Sequence, residues 1–125
     1  MRNFSIFPVA LIVLLVALMA TACKKSGNRA VLTPEQIPAT VQSAFKDAAP
    51  DVKSFAEEAT ASLQNKEEPK AFEQLQALSW RPDLTPEQRE AAMRAIRALN
   101  EQFAAAAAKG DKTAEEMLQK YRATK

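Results

Sequence analysis

Chemistry in this chain has few residue types to draw on. Cys23 is the only thiol, and there is no histidine among the 125 residues. A lone thiol can be acylated, or can act as a nucleophile once a neighbouring base takes its proton. With no imidazole anywhere, neither a cysteine–histidine pair nor a Ser-His-Asp system can be assembled. One cysteine without histidine also provides no disulfide within the chain and no Cys/His metal site. Carboxylates remain, as the adjacent pairs Glu57/Glu58, Glu67/Glu68 and Glu115/Glu116. Consecutive helical residues point about 100° apart. Such pairs do not converge as acid and base and belong on solvated faces. No phosphate-cradling glycine loop is present, since glycine occurs only as Gly27 and Gly110. The expectation is a non-enzyme that uses no cofactor and no metal.

The element that carries Cys23 gives its thiol another use. Arg2 and the α-amino group form a positive start, and no charged residue follows from Phe4 to Ala22. The densest apolar run, Val9–Ala22, is 14 residues long, the length of a signal-peptide core and short for a membrane span. It ends in Ala20-Thr21-Ala22-Cys23, followed at once by Lys24 and Lys25. Small residues directly before a cysteine resemble the lipobox of bacterial lipoproteins, although Ala20 stands where that family most often has leucine. The resemblance implies cleavage between Ala22 and Cys23, a diacylglyceryl group on the Cys23 sulfur, and often an acyl chain such as palmitate on the new amine. Two or three chains anchor stably where one is marginal, each buried methylene contributing about 0.8 kcal/mol.

Two other readings of the same residues stand beside this one. A cleaved signal without lipid would leave Cys23 incidental. An uncleaved anchor is the other, because Phe4–Ala22 is 19 residues, roughly 28 Å as a helix, just enough to cross a bilayer. On the lipoprotein reading, residues 1–22 are the signal, 23–33 the lipidated tether and 34–125 a helical domain. Lys24 in place of an aspartate after the cysteine then implies the periplasmic face of the outer membrane in a Gram-negative envelope. Lys24, Lys25 and Arg29 either rest on anionic headgroups or belong to a solvated tether.

Seventeen Lys+Arg against fifteen Asp+Glu leave a net charge of +2, which excludes the strong basic field of a nucleic-acid binder. Basic residues are interleaved with acidic ones, as in Glu90 and Arg94 one helical turn apart.

Five segments carry helical spacing. In the first, Pro38 marks the start and Ile37, Val41, Phe45 and Ala48 share a face. The second follows Pro50 with Val52, Phe55, Ala56, Ala59 and Leu63, and the third aligns Ala71, Phe72, Leu75 and Leu78. The fourth opens on a Thr85 cap with Pro86 first and Gln88 completing a capping box. It runs through Ala92, Ile96, Leu99, Phe103 and Ala106 to a stop at Gly110, about 35 Å in all. A fifth is expected to open at Thr113, boxed by Glu116, and to bury Met117, Leu118 and Tyr121. No segment from Cys23 onward has strand periodicity. An all-α bundle of about five helices follows, with Phe45, Phe55, Phe72, Phe103 and Tyr121 in one shared core.

Two weaker resemblances concern this body. "LTPEQ" occurs at Leu32–Gln36 and again at Leu84–Gln88. Paired Leu-Thr-x-x-Gln segments resemble the LTXXQ-motif periplasmic chaperones, which implies an all-helical protein that shields unfolded clients. The stretch from Glu57 to Gln88 resembles a degenerate tetratricopeptide hairpin, with Ala71, Leu75 and Leu78 as packing positions and Pro82 ending the unit. Asn65-Lys66 departs from the usual Gly-Asp there, and no second copy follows, although repeat units need stacked neighbours. Within this stretch lies "SWRPD", Ser79–Asp83. Trp and Arg are enriched among interface anchors, so Trp80 and Arg81 are candidate partner-binding residues. The other reading has Trp80 folded back over the core.

Overall fold

The computed structural model describes residues 30–125; the signal segment, the Ala22–Cys23 cleavage site and the Cys23 thiol lie outside the described residues. The described residues form five helices: α1 Gln36–Phe45, α2 Pro50–Gln64, α3 Glu68–Ser79, α4 Pro86–Ala108 and α5 Lys112–Ala123. No strand occurs among them.

Helix starts follow from proline and capping chemistry. Pro50 and Pro86 occupy first helical positions, where a missing amide costs nothing. At α4 the capping box is complete. The Gln88 amide donates to Thr85 Oγ1 at 3.1 Å, and the Thr85 amide donates to Gln88 Oε1 at 3.0 Å. Two starts differ from expectation. α1 begins at Gln36, two residues before Pro38, which sits in the first turn where no amide is needed. α5 begins at Lys112, capped not by Thr113 but by Asp111, whose Oδ1 accepts from the Ala114 amide at 3.1 Å.

Two helices end in the same hydrogen-bonded motif with different residues at its left-handed position. After α4, Gly110 has φ 93°, its amide donates to Ala107 O at 2.9 Å, and the Asp111 amide donates to Ala106 O at 3.1 Å. After α2 the same two bonds run from Lys66 to Leu63 O at 3.2 Å and from Glu67 to Ser62 O at 2.9 Å. There Lys66 adopts φ 62°, a conformation that glycine takes more easily.

Each helix packs on the next, and α1 also packs on α4, so α1–α4 form a closed ring with α5 laid against α4. The interior is fully buried at Ile37, Val41, Phe45, Val52, Phe72, Leu75, Leu78 and Leu99. Burying such side chains contributes about 1.5–3 kcal/mol each. α4 faces three neighbours, and its Ala91, Ala92, Ala95 and Ala98 are buried. Small side chains let three helices approach one axis. Phe72 meets the rings of Phe103 and Tyr121 edge-on, with centroids 5.4 and 5.7 Å apart. Phe55, Ala48, Ala106, Leu118 and Tyr121 are only half-buried at the margin of this core. A part-buried polar link joins α2 to α3, where Ser62 Oγ donates to Gln74 Oε1 at 2.7 Å.

Candidate functional site

The α3–α4 connection is built by two arginines. α3 stops at Ser79 and leaves its last carbonyls without helical donors. Arg89, one turn into α4, reaches back to the connection: Nη1 donates to Ser79 O, the last carbonyl of α3, at 2.9 Å and Nη2 to Arg81 O, beyond the helix, at 3.1 Å. Arg81 grips the other side. Its Nε and Nη2 donate to the two carboxylate oxygens of Asp83 at 3.1 and 2.9 Å, and Nη2 also donates to Asp51 Oδ2 in the first turn of α2. Such a planar fork suits a bidentate carboxylate. The Arg81 guanidinium is held firmly charged by Asp83 and Asp51, and Arg81 in turn keeps the Asp83 carboxyl below its ordinary range.

Trp80 stands on this braced corner as the C-cap of α3 and is 75% exposed. The indole does not fold back over the core; the burial that closes the loop comes from Leu84. Of the two candidate anchors, Trp80 is the one presented to solvent. The Arg81 side chain is 31% exposed and its Nε and Nη2 are engaged by two carboxylates. Arg81 therefore sets the shape of the corner. The "RPD" spacing signals the Arg81–Asp83 fork, but nothing local signals Asp51, 30 residues earlier.

Elsewhere the surface offers little converging chemistry. Glu57, Glu58, Glu115 and Glu116 are exposed, and Glu67 pairs with Lys70 at 3.4 Å. Among the described residues no three metal-ligating side chains converge, and no helix is long and apolar enough to cross a membrane. Two depressions were not foreseen from the sequence. One of about 230 Å³ lies between α1 and α2. A shallower groove of about 470 Å³ runs between α1 and α4, lined by small residues such as Ala39, Ser43 and Ala91 with Arg94 at its edge. The first lies between consecutive helices and the second between helices about fifty residues apart; both depend on how the helices pack, which spacing within one helix does not reveal.

No family model matches the chain, and no curated protein or solved structure matches it.

Proposed function

We propose that this chain is a bacterial envelope lipoprotein, held to the membrane by lipid on Cys23, whose helical body is a non-enzymatic protein-interaction module with Trp80 as its contact. The observation that carries the interaction reading is the exposed indole on a corner fixed by Arg81 and Arg89. An indole left in water forgoes a large hydrophobic gain. Binding a partner recovers it without reordering the loop, because the corner is already rigid. The tether reading is supported by the small residues, the lone thiol and the lysines at Ala20–Lys25. Partner-bound Trp80 would then act at the membrane surface, on the periplasmic face of the outer membrane if the cell has one.

The test has two arms. Intact mass of detergent-extracted wild type is expected to lack residues 1–22 and to carry acyl chains that the Cys23→Ser variant lacks; a full-length unmodified mass overturns the lipid anchor. Crosslinking in cells is expected to capture one or two defined proteins, and Trp80→Ala to lose them while the fold persists, since Trp80 contributes little burial. Suppressed aggregation of unrelated unfolded proteins, undiminished by Trp80→Ala, would instead favour the LTXXQ-type chaperone.

A further inference from the structure

α1–α4 close on one another without α5, whose principal packing is on α4. α5 buries Ala114 and Met117, half-buries Leu118 and Tyr121, and sets the Tyr121 ring edge-on to Phe72 at 5.7 Å. Two polar contacts hold its last turns to α3. Lys120 Nζ meets Glu73 Oε1 at 3.2 Å, and Gln76 Nε2 donates to Thr124 Oγ1 at 3.5 Å. α5 thus lies in a groove whose two sides are α3 and α4.

The hinge that folds α5 back is residues 109–111. Lys109 has φ −94° and ψ 5°, at the edge of helical space. Only Gly110, at φ 93°, and Asp111, at ψ 109°, stand clearly outside it. Rotating those two residues to helical values joins α4 and α5 into one rod over residues 86–123, roughly 57 Å long. No backbone hydrogen bond is forfeited. The Gly110 and Asp111 amides, bonded to Ala107 O and Ala106 O in the bent hinge, exchange those two acceptors. The Ala114 amide leaves the Asp111 carboxylate for Gly110 O, and the Lys112 and Thr113 amides gain Ala108 O and Lys109 O. Five alanines at residues 104–108 favour continuing the helix, and Gly110 opposes it.

Straightening lifts α5 off its own groove, and the surface already shaped for it is the same groove on a second copy. α4 and α5 pack as a hairpin, so two straightened rods lie side by side and antiparallel, with residue 110 at the centre. We propose that α5 is an exchangeable helix: two copies of this chain straighten at Gly110 and Asp111, and each docks its α5 between α3 and α4 of the other. The contacts are those of the single chain, remade across copies. Trp80 follows Gln76 by one turn on α3, so the pair carries two Trp80 indoles. The inference requires neither lipid on Cys23 nor a partner at Trp80.

Gly110→Ala isolates the hinge. A Cβ at Gly110 meets nothing within 4 Å, so alanine penalises the bent hinge through φ alone and favours the rod. Gly110→Asn adds a larger side chain yet tolerates the left-handed conformation. ¹³C-labelled and unlabelled full chains are unfolded together in urea and refolded in zwitterionic micelles. The readout is the Phe72–Tyr121 ring contact between labelled and unlabelled chains in an isotope-filtered NOE spectrum, with mass from sedimentation in density-matched micelles. Wild type is expected to show the cross-chain contact at about millimolar protein. Gly110→Ala should show it at concentrations at least about a hundredfold lower, and Gly110→Asn should stay with wild type. Absence of the contact in wild type at millimolar protein, an unshifted Gly110→Ala, or an equal shift in Gly110→Asn would overturn the proposal. So would a dimer whose ring contact stays within each chain, because another surface would then hold it.

Discussion

At Leu84–Gln88 the Thr85 hydroxyl and the Gln88 side chain close a capping box and α4 starts at Pro86. At Leu32–Gln36 the same five residues make a turn: the Gln36 amide donates to Thr33 O at 3.0 Å and the helix waits until Gln36. Some features are shared. Leu32 and Leu84 are each 9% exposed, and in both copies the glutamine Oε1 accepts from the threonine amide at 3.0 Å. The divergence originates downstream. A helix begun at Pro34 would need the amide of residue 38 to bond the carbonyl of residue 34, and Pro38 has no amide. Starting at Gln36 puts Pro38 third, where no intrahelical bond is required. After Gln88 comes Arg-Glu-Ala-Ala-Met, with every amide available. A capping signal thus starts a helix only where the next turn can propagate.

The largest test of what the two copies share is their leucines. Leu32→Ala and Leu84→Ala should each cost about 2–4 kcal/mol in urea unfolding of the full chain in micelles. A Leu32→Ala loss near zero would break the equivalence and place the first copy outside the cooperative fold. Next come the threonines, which should separate the copies. Thr85→Ala is expected to cost about 1 kcal/mol and Thr33→Ala only a few tenths; equal losses would mean that Thr33 caps a helix as well. Pro38→Ala addresses the cause itself. It restores the missing amide, so α1 should lengthen back toward Pro34, read as helical Cα shifts at Pro34 and Glu35, with a stability change below about 1 kcal/mol. Unchanged shifts would show that the turn is held by something other than Pro38.

The smallest effect is protonic. In the first copy the Glu35 carboxyl is lowered by its own backbone amide and the Thr33 hydroxyl; just before the second, Asp83 is lowered by Arg81. Both folded pKa values lie below the unfolded ones. Their stabilisation is therefore complete above about pH 4–5 and is lost as pH falls through the folded values. Glu35→Gln and Asp83→Asn should each make the acid limb of the stability curve shallower, and added salt should erase the Asp83 effect first.

Burial is what made most of the fold legible. The 3–4 spacing of Ile37/Val41/Phe45, Ala71/Phe72/Leu75/Leu78 and Ala92/Ile96/Leu99/Phe103 exists because one face of each helix must leave water, and all of these residues are buried. Errors came where two local signals competed. Asp111 and Thr113 are both capping residues, but the turn that ends α4 delivers Asp111 in an extended conformation (φ −73°, ψ 109°), ready to cap α5. Phe55 has the spacing of a core residue yet lies at the margin of the core. The candidate site was legible only as residue types. Ser-Trp-Arg-Pro-Asp marks a connection, but the bonds that brace it come from Arg89 and Asp51, which sequence proximity does not join to it. Cys23 is the converse case, where the local context carries the whole reading and lies outside the described residues.

The closure of α1 onto α4 also shapes how the chain acquires its structure. The other principal packings join consecutive helices, so each forms by a short loop closure, whereas α1 must find a surface about fifty residues away. Ordering α2 through α5 first leaves a ready face on α4, bounded by Ala91 and Arg94, for α1 to complete. α1 meets α2 by a short closure, and the ring is complete only when it also meets α4. If the proposed lipid on Cys23 holds the chain, a pull on it reaches Leu32 and α1 before any other part of the described core.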